Sequence, residues 1–157
     1  MASKLGACRR ACRPDIWDSR MARILVVEDN EQICDFLSRR LRRRGHEVFL
    51  AHDGESAIAC ARSAEPQVVL LDMNLPAMDG WTAARAIKAD ARTKDLAIVA
   101  LTADAIHSAR ERALQAGCDE CHSKPLDFRK LIAQVEALAG DAENDEAASA
   151  RDLERKH

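Results

Sequence analysis

The feature that most constrains the fold of this chain is a regular alternation of short apolar runs with segments whose apolar residues recur at helical spacing. Four runs are typical of buried strands and a weaker fifth follows them: Ile24–Val27, Val48–Ala51, Val68–Leu71, Ala97–Leu101 and Glu120–Ser123. A helical pattern follows each run. Five strand–helix units in strict alternation predict a single α/β domain, with a doubly wound five-stranded parallel sheet and helices on both faces.

Capping and turn residues separate these units. Asn30, Asp53 and Asp127 are placed to cap the first, second and fifth helices, because a short polar side chain there can accept hydrogen bonds from the first free backbone N–H groups. Gly45 and Gly117 follow the first and fourth helical patterns, where glycine commonly ends a helix. The boundaries of the predicted helices are therefore marked independently of their apolar spacing.

Composition excludes several classes of protein. The 157 residues include 24 Lys and Arg and 26 Asp and Glu, for a net charge of -2, which argues against binding nucleic acid through bulk charge. No apolar run is long enough to span a bilayer, and no secretory signal is recognisable. We therefore expect a cytoplasmic protein with no membrane partner and no direct nucleic-acid partner, and its six cysteines are expected to be reduced thiols.

The two ends of the chain differ in charge from its centre. Residues 1–20 are polar and basic, residues 139–157 are polar and acidic, and the predicted domain occupies 22–138. Met21 precedes the first apolar run, so residues 1–20 are either a disordered arm or an extension absent from the native protein. About 19 polar residues follow Leu138, too few for a further domain, which predicts a stand-alone protein acting through protein contacts.

Charged and polar side chains follow four of the predicted strands. Glu28 and Asp29 follow the first strand, Asp72 the third, Thr102 the fourth and Lys124 the fifth. Since ligands of such sheets bind beyond the carboxyl ends of the strands, these side chains are expected to converge. Crowded carboxylates repel one another, and a hard divalent cation relieves the repulsion. Oxygen ligands without histidine favour Mg²⁺ or Mn²⁺ over zinc.

This set of groups suits phosphoryl transfer. A carboxylate held beside a divalent ion, an ammonium group and a hydroxyl group can attack a phosphoryl group in line. Asp72 is the candidate nucleophile, because it ends the central apolar run, while Thr102 and Lys124 can bind the phosphoryl oxygens. Taken singly, each of these residues is more simply a helix cap, a turn former or a surface lysine. Their coincidence at four strand ends favours the functional interpretation.

The chain resembles the receiver domain of two-component response regulators. The matching stretches span about residues 22–138. They are Ile24-Leu25-Val26-Val27-Glu28-Asp29-Asn30, Val69-Leu70-Leu71-Asp72-Met73-Asn74-Leu75-Pro76 with Met78-Asp79-Gly80, Ala100-Leu101-Thr102-Ala103 and Ser123-Lys124-Pro125-Leu126. The resemblance implies a flavodoxin-like (βα)5 fold and a role in phosphorelay signalling, with no enzymatic activity beyond the domain's own phosphorylation and dephosphorylation.

The resemblance also implies a role for each site residue. Asp72 would accept the phosphoryl group, and Glu28 and Asp29 would help to bind Mg²⁺ directly or through water. The backbone carbonyl of Asn74 would be a further metal ligand, and Thr102 and Lys124 would bind the phosphoryl group. These implied residues are Glu28, Asp29, Asp72, Asn74, Thr102 and Lys124. A cis Lys124–Pro125 bond is implied as well.

Partners follow from the same resemblance. A histidine kinase or a histidine phosphotransfer domain would donate the phosphoryl group, and a downstream protein target would read it; a homodimer stays open. The arginines at 39, 40, 42, 43 and 44 form either a solvated face or a docking surface for the donor. Trp81 is expected to be a packing residue near the Asp72 loop.

Cys121 departs from the family's pattern. It stands three positions before Lys124, where receivers usually have an aromatic residue or histidine that moves when the domain is phosphorylated. Either the loop around Asp104–His107 and the fourth helix report the change instead, or His122 partly substitutes; His122 should face the opposite side of its strand. Cys118 and Cys121 have the spacing of a redox pair but are more simply core residues, as are Cys34 and Cys60.

Two other functions fit parts of the pattern. A phosphohydrolase with an aspartyl-phosphate intermediate needs a carboxylate two positions after the nucleophile, and this chain has Asn74 there. A degenerate receiver that serves only as a scaffold is disfavoured because Asp29, Asp72, Thr102 and Lys124 are all present.

Overall fold

The computed structural model describes residues 21–103 and 106–140, without the side chains of residues 106 and 107. Its elements alternate as predicted, and the strand limits differ from the prediction by at most one residue. They are β1 (Arg23–Val27), α1 (Glu31–Arg43), β2 (Glu47–Ala51), α2 (Gly54–Ala64), β3 (Val68–Asp72), α3 (Gly80–Ala89), β4 (Ala97–Thr102), α4 (Ile106–Gln115), β5 (Glu120–Ser123) and α5 (128–140).

The five strands form one parallel sheet in the order β2-β1-β3-β4-β5, which confirms the predicted fold. In the register, Val27 lies beside Leu71, Asp72 beside Leu101, and Thr102 beside Ser123. The strands therefore end at nearly the same level, and the residues that follow them share one edge of the sheet.

Alternating strand side chains divide the core into two layers. Leu25, Val69 and Ile98 face the layer closed by α2, α3 and α4, while the next residues along each strand face the layer closed by α1 and α5. Side chains on successive strand positions point to opposite faces, so each strand contributes to both layers. Cys34 and Cys60 are buried in different layers, which confirms that they are small core residues.

Local signals define the helix ends as the sequence predicts. The side chain of Asn30 accepts hydrogen bonds from the backbone N–H groups of α1, that of Asp53 from Ser56, and that of Asp127 from Lys130 at 3.3 Å. After α1, Gly45 has φ +89°, a left-handed conformation that a residue with a Cβ adopts only at a cost.

Some predictions concern residues outside the described ranges. These are the extension at 1–20, the part of the tail beyond residue 140, and the segment 104–105, so the predicted limits of the domain stay predictions. Among the described residues, no helix combines the length and the apolar character required to cross a membrane.

Candidate functional site

Three carboxylates meet at the carboxyl edge of the sheet. Glu28 and Asp29 follow β1, and Asp72 ends the neighbouring β3. Each offers an oxygen atom, and these oxygens all lie within 4.8 Å of one another. Glu28 and Asp72 are buried, with exposed fractions of 1%, while Asp29 is exposed. The convergence predicted from the strand ends is therefore present, and one member of the group faces solvent.

Lys124 brings a positive charge to the two buried carboxylates. Its Nζ atom lies 3.2 Å from Oδ2 of Asp72 and 3.6 Å from Oε2 of Glu28. Lys124 also donates its backbone N–H to the carbonyl of Thr102 at 2.7 Å, which ties the end of β5 to the end of β4. The Lys124–Pro125 bond is cis, as the resemblance implied.

The electrostatics of the site suit a cation. Burial, followed by the nearby charge of Asp72, raises the pKa of Glu28 from 4.5 to about 7, and Lys124 offsets only part of this effect. Within the described residues, Oε2 of the buried Glu28 accepts no hydrogen bond. A buried oxygen in this position, within reach of two other carboxylates, is well suited to a hard divalent ion. The residues present therefore fit Mg²⁺ or Mn²⁺.

The loop after β3 is held closely against Asp72. The backbone N–H of Asn74 donates to Oδ1 of Asp72 at 3.0 Å, and that of Gly80 donates to the carbonyl of Met73 at 3.1 Å. A Cβ atom on Gly80 would lie 2.5 Å from both the carbonyl oxygen of Asp72 and Cα of Met73. Only glycine fits at this position, so the loop and the end of β3 form one rigid unit.

Asp79 begins the helix that follows this loop. Its Oδ1 atom accepts the backbone N–H of Thr82 at 2.7 Å, and this hydrogen bond holds the pKa of Asp79 below its ordinary value. The sequence analysis assigned Asp79 and Gly80 only to the family motif. It did not predict that Asp79 caps α3 or that Gly80 packs against the backbone of Asp72 and Met73. The available signal was an Asp-Gly pair directly before a helical pattern.

Thr102 and Cys121 occupy the ends of neighbouring strands. Thr102 is fully buried at the end of β4. Cys121 is buried in the layer that includes Ala109 and Ala113 of α4. His122 lies on the other face, where its Nε2 atom is 3.1 Å from Oε1 of Gln134 in α5, as predicted. His122 therefore faces away from α4, and the predicted role of Asp104–His107 falls largely outside the described residues.

The cysteine pair has the properties of core residues. Burial raises the pKa of the Cys118 thiol to about 12 and raises that of Cys121 as well. A thiol of raised pKa is rarely ionised at neutral pH, and the thiolate is the reactive form. The surroundings of Cys118 and Cys121 therefore disfavour the redox interpretation.

The chain matches known proteins over most of its described length. The response regulator receiver domain matches residues 24–136. RpaA of Synechocystis sp., a DNA-binding dual master transcriptional regulator, is 34% identical over 118 residues, which are 75% of this chain and 49% of that protein. The response regulator PleD of Caulobacter vibrioides is 38% identical over 117 residues, 74% of this chain and 26% of PleD. The matched region thus spans about half or less of these relatives.

Solved structures show the same fold. The receiver domain of the sensor histidine kinase PA1611 from Pseudomonas aeruginosa PAO1, solved with a magnesium ion in its active-site cleft, has a TM-score of 0.69 at 34% identity, covering 76% of this chain and 98% of that one. A CheY-like receiver domain protein from Methanospirillum hungatei JF-1 has a TM-score of 0.72 at 25% identity, covering 80% and 98%. With the match over residues 24–136, these comparisons show that the chain belongs to the response regulator receiver domain family.

Proposed function

We propose that this protein is the phosphoacceptor of a two-component phosphorelay. Asp72 accepts a phosphoryl group from a histidine kinase or a histidine phosphotransfer domain, with Mg²⁺ or Mn²⁺ as cofactor, and the phosphorylated form signals by binding a downstream protein. The observation that supports this most strongly is the contact of Lys124 with two buried carboxylates, its Nζ atom lying 3.2 Å from Asp72 and 3.6 Å from Glu28.

Each site residue has a task in this reaction. An oxygen of Asp72 forms a bond to phosphorus as the bond between phosphorus and the donor histidine breaks. Lys124 neutralises charge on the phosphoryl oxygens, and the hydroxyl of Thr102 donates a hydrogen bond to one of them. The N–H of Asn74, 3.0 Å from Oδ1 of Asp72, orients the carboxylate for attack.

The metal site would be formed by the carboxylates of Glu28, Asp29 and Asp72 and by the backbone carbonyl of Asn74. When bound, the ion supplies positive charge opposite the transferring phosphoryl group. The magnesium found in the cleft of the PA1611 receiver domain, which is 34% identical, supports this choice of cofactor. The oxygen ligands and the absence of histidine from this group of three carboxylates support it as well.

The assignment of Asp72 is tested by labelling with acetyl phosphate and Mg²⁺, followed by intact mass spectrometry. The wild-type protein should gain one phosphoryl group and Asp72→Asn should gain none. Asp95→Asn is the matched control, because Asp95 is an exposed aspartate outside the site, and it should label like the wild type. Equal labelling of Asp72→Asn and wild type would overturn the proposal.

The donor is proposed to dock on α1 and the start of α5. Phe36 and Phe128 pack with ring centroids 4.6 Å apart, and the guanidinium group of Arg40 lies 4.7 Å from the Phe36 centroid. Arg40, Arg43 and Arg129 line a neighbouring groove of about 420 Å³ between the two helices. Partly exposed aromatic rings surrounded by arginines suit an amphipathic helix with acidic flanks.

Charge reversal tests this surface. Arg40→Glu with Arg43→Glu should slow phosphoryl transfer from a phosphorylated donor, because long-range attraction is replaced by repulsion. Labelling by acetyl phosphate should not change, since that small donor needs no docking surface. Lys94→Glu, on an exposed position elsewhere, is the control. Unchanged transfer in the double variant would remove α1 from the donor interface.

The alternatives make different predictions. A phosphohydrolase would turn over a phosphomonoester continuously. Asn74 argues against this activity, because it has an amide where that chemistry needs a carboxylate. A scaffold would not respond to beryllium fluoride, which mimics a phosphoryl group on Asp72. The cytoplasmic location, the stand-alone organisation and homodimer formation stay predictions from the sequence.

A further inference from the structure

A stacking contact joins α3 to α4. The guanidinium carbon of Arg112, on α4, lies 4.8 Å from the ring centroid of Trp81, on the first turn of α3. The Trp81 side chain is buried, with an exposed fraction of 5%, so the ring has a fixed position against which the guanidinium group rests. The positive charge of Arg112 also contributes to the lowered pKa of Asp79. Arg112 therefore contacts the N-terminal turn of α3 both by stacking and by charge.

That turn is in direct contact with Asp72. Gly80 precedes Trp81, and an added Cβ on Gly80 would lie 2.5 Å from the carbonyl oxygen of Asp72. Gly80 also donates its backbone N–H to Met73. Because the backbone of Gly80 packs closely against that of Asp72 and Met73, a shift of the N-terminal turn of α3 is transmitted to the end of β3. The contacts thus run without a gap from Arg112 through Trp81 and Gly80 to Asp72.

The described side chains that α4 buries are small, and Arg110 of the same helix lies 4.0 Å from Glu120 of β5. Among the residues of α4 whose side chains the structure describes, the buried ones are Ala109 and Ala113, and Leu114 is 59% exposed. Cys121 of β5, another small side chain, is buried in the same layer. Small buried side chains contribute little to holding a helix in place. The stacking of Arg112 on Trp81 adds a contact between large side chains to this packing of small ones.

We propose that Arg112 is a positioning residue for the phosphorylation site: by stacking on Trp81 it holds the N-terminal turn of α3 against the backbone of Asp72 and Met73, and so fixes Asp72 relative to the carboxylates that follow β1. This inference rests on the proposed function and adds a route for its regulation. Coupling between two sites is reciprocal, so a partner that binds α4 and displaces Arg112 weakens the affinity of the site for its ligands by the same factor.

Removal of Arg112 should change the magnesium affinity in the direction opposite to the one expected from its charge alone. Removing a positive charge from the protein should by itself strengthen binding of a divalent cation. Loss of the positioning contact should instead weaken it, because the end of β3 is then held less firmly in the position that the metal requires. For Arg112→Gln we expect magnesium affinity to fall by about two- to fivefold, the range that an exposed cation–π contact can supply.

Calorimetric titration with Mg²⁺ tests the proposal, with urea unfolding measured in parallel. Arg112→Gln should bind Mg²⁺ more weakly than wild type at similar stability, and Arg112→Lys should recover part of the affinity. Arg110→Gln removes the same charge from the same helix, together with the ion pair of Arg110 with Glu120 at 4.0 Å, and should not weaken binding because this pair does not reach α3. In a Trp81→Phe background, where the stacking surface is smaller, Arg112→Gln should have a reduced effect.

Two outcomes overturn the inference. The first is that the wild type binds Mg²⁺ and Arg112→Gln binds it equally or more tightly. This result removes the positioning role of Arg112 but leaves the proposed function intact. If the wild type binds neither Mg²⁺ nor beryllium fluoride, the proposed function fails instead. Hydrogen exchange without metal then decides the positioning role, since Arg112→Gln should speed exchange at the amides of residues 73–82, and unchanged exchange there overturns it.

Discussion

Among the glycines that the structure describes, Gly80 is where substitution by alanine is expected to cost most. The added Cβ would lie 2.5 Å from the carbonyl oxygen of Asp72 and 2.5 Å from Cα of Met73. An ordinary contact between such atoms is about 3.5 Å, so relief requires a shift of about 1 Å. Both neighbours are backbone atoms of the buried β3 strand and its loop, and they cannot rotate away as a side chain could.

The expected loss of stability follows from that geometry. Overpacking of a well-packed core costs about 1–3 kcal/mol when side chains can adjust, so at least about 3 kcal/mol is expected where only backbone can move. Two other glycines provide a graded comparison. A Cβ on Gly54 would lie 2.8 Å from Sδ and 2.9 Å from Cβ of Met78, so both the side chain and its attachment must shift, which predicts a loss of about 2 kcal/mol, whereas Gly140 has nothing within 4 Å.

Urea unfolding followed by circular dichroism measures all three variants. Gly140→Ala should be neutral or stabilising by up to about 1 kcal/mol, because alanine favours a helix over glycine. The expected order of stability is Gly140→Ala, then Gly54→Ala, then Gly80→Ala. A Gly80→Ala protein within about 1 kcal/mol of wild type would refute the view that the β3–α3 loop is rigidly packed against Asp72.

Three further predictions concern charge, capping and backbone strain. Lys124→Met should bind Mg²⁺ more tightly in calorimetry yet label more slowly with acetyl phosphate, because a cation 3.2 Å from Asp72 both competes with the metal and stabilises the phosphoryl group. Asp79→Ala should lose about 1 kcal/mol at neutral pH. Since the hydrogen bond from Thr82 lowers the pKa of Asp79, this loss should shrink in urea unfolding as the pH falls below the carboxyl's ordinary value of 3.8. Glu65→Gly should raise the urea midpoint, because Glu65 has φ +50° in the left-handed region, which costs a residue with a Cβ about 1 kcal/mol.

The order of the strands and helices along the chain could be predicted because the spacing of apolar residues indicates which positions of each element are buried. The runs beginning at Ile24 and Val68 are apolar at every position because these central strands are covered on both faces. The convergence of Asp72 and Lys124 follows from the same topology, since parallel strands present their carboxyl ends at one edge. These features depend only on the pattern and on a general rule of folds.

Contacts between helices could not be predicted in the same way. The stacking of Arg112 on Trp81 depends on how two helices lie against one sheet, and residue spacing along the chain contains no information about that distance. The need for glycine at position 80 likewise appears only when the loop is seen against Met73. In both cases the distance between two atoms in the folded structure decides the outcome. The residue pattern along the chain does not determine that distance.

The shared level at which the strands end has a consequence for how such a protein can be extended. All the reactive groups lie beyond one rim of the sheet, whereas the short connections at 44–46, 65–67 and 90–96 lie at the opposite rim. Insertions or fused modules at those connections would lie on the far side of the sheet from the chemistry. The architecture thus separates the part of the molecule that must stay constant from the part that is free to acquire new attachments.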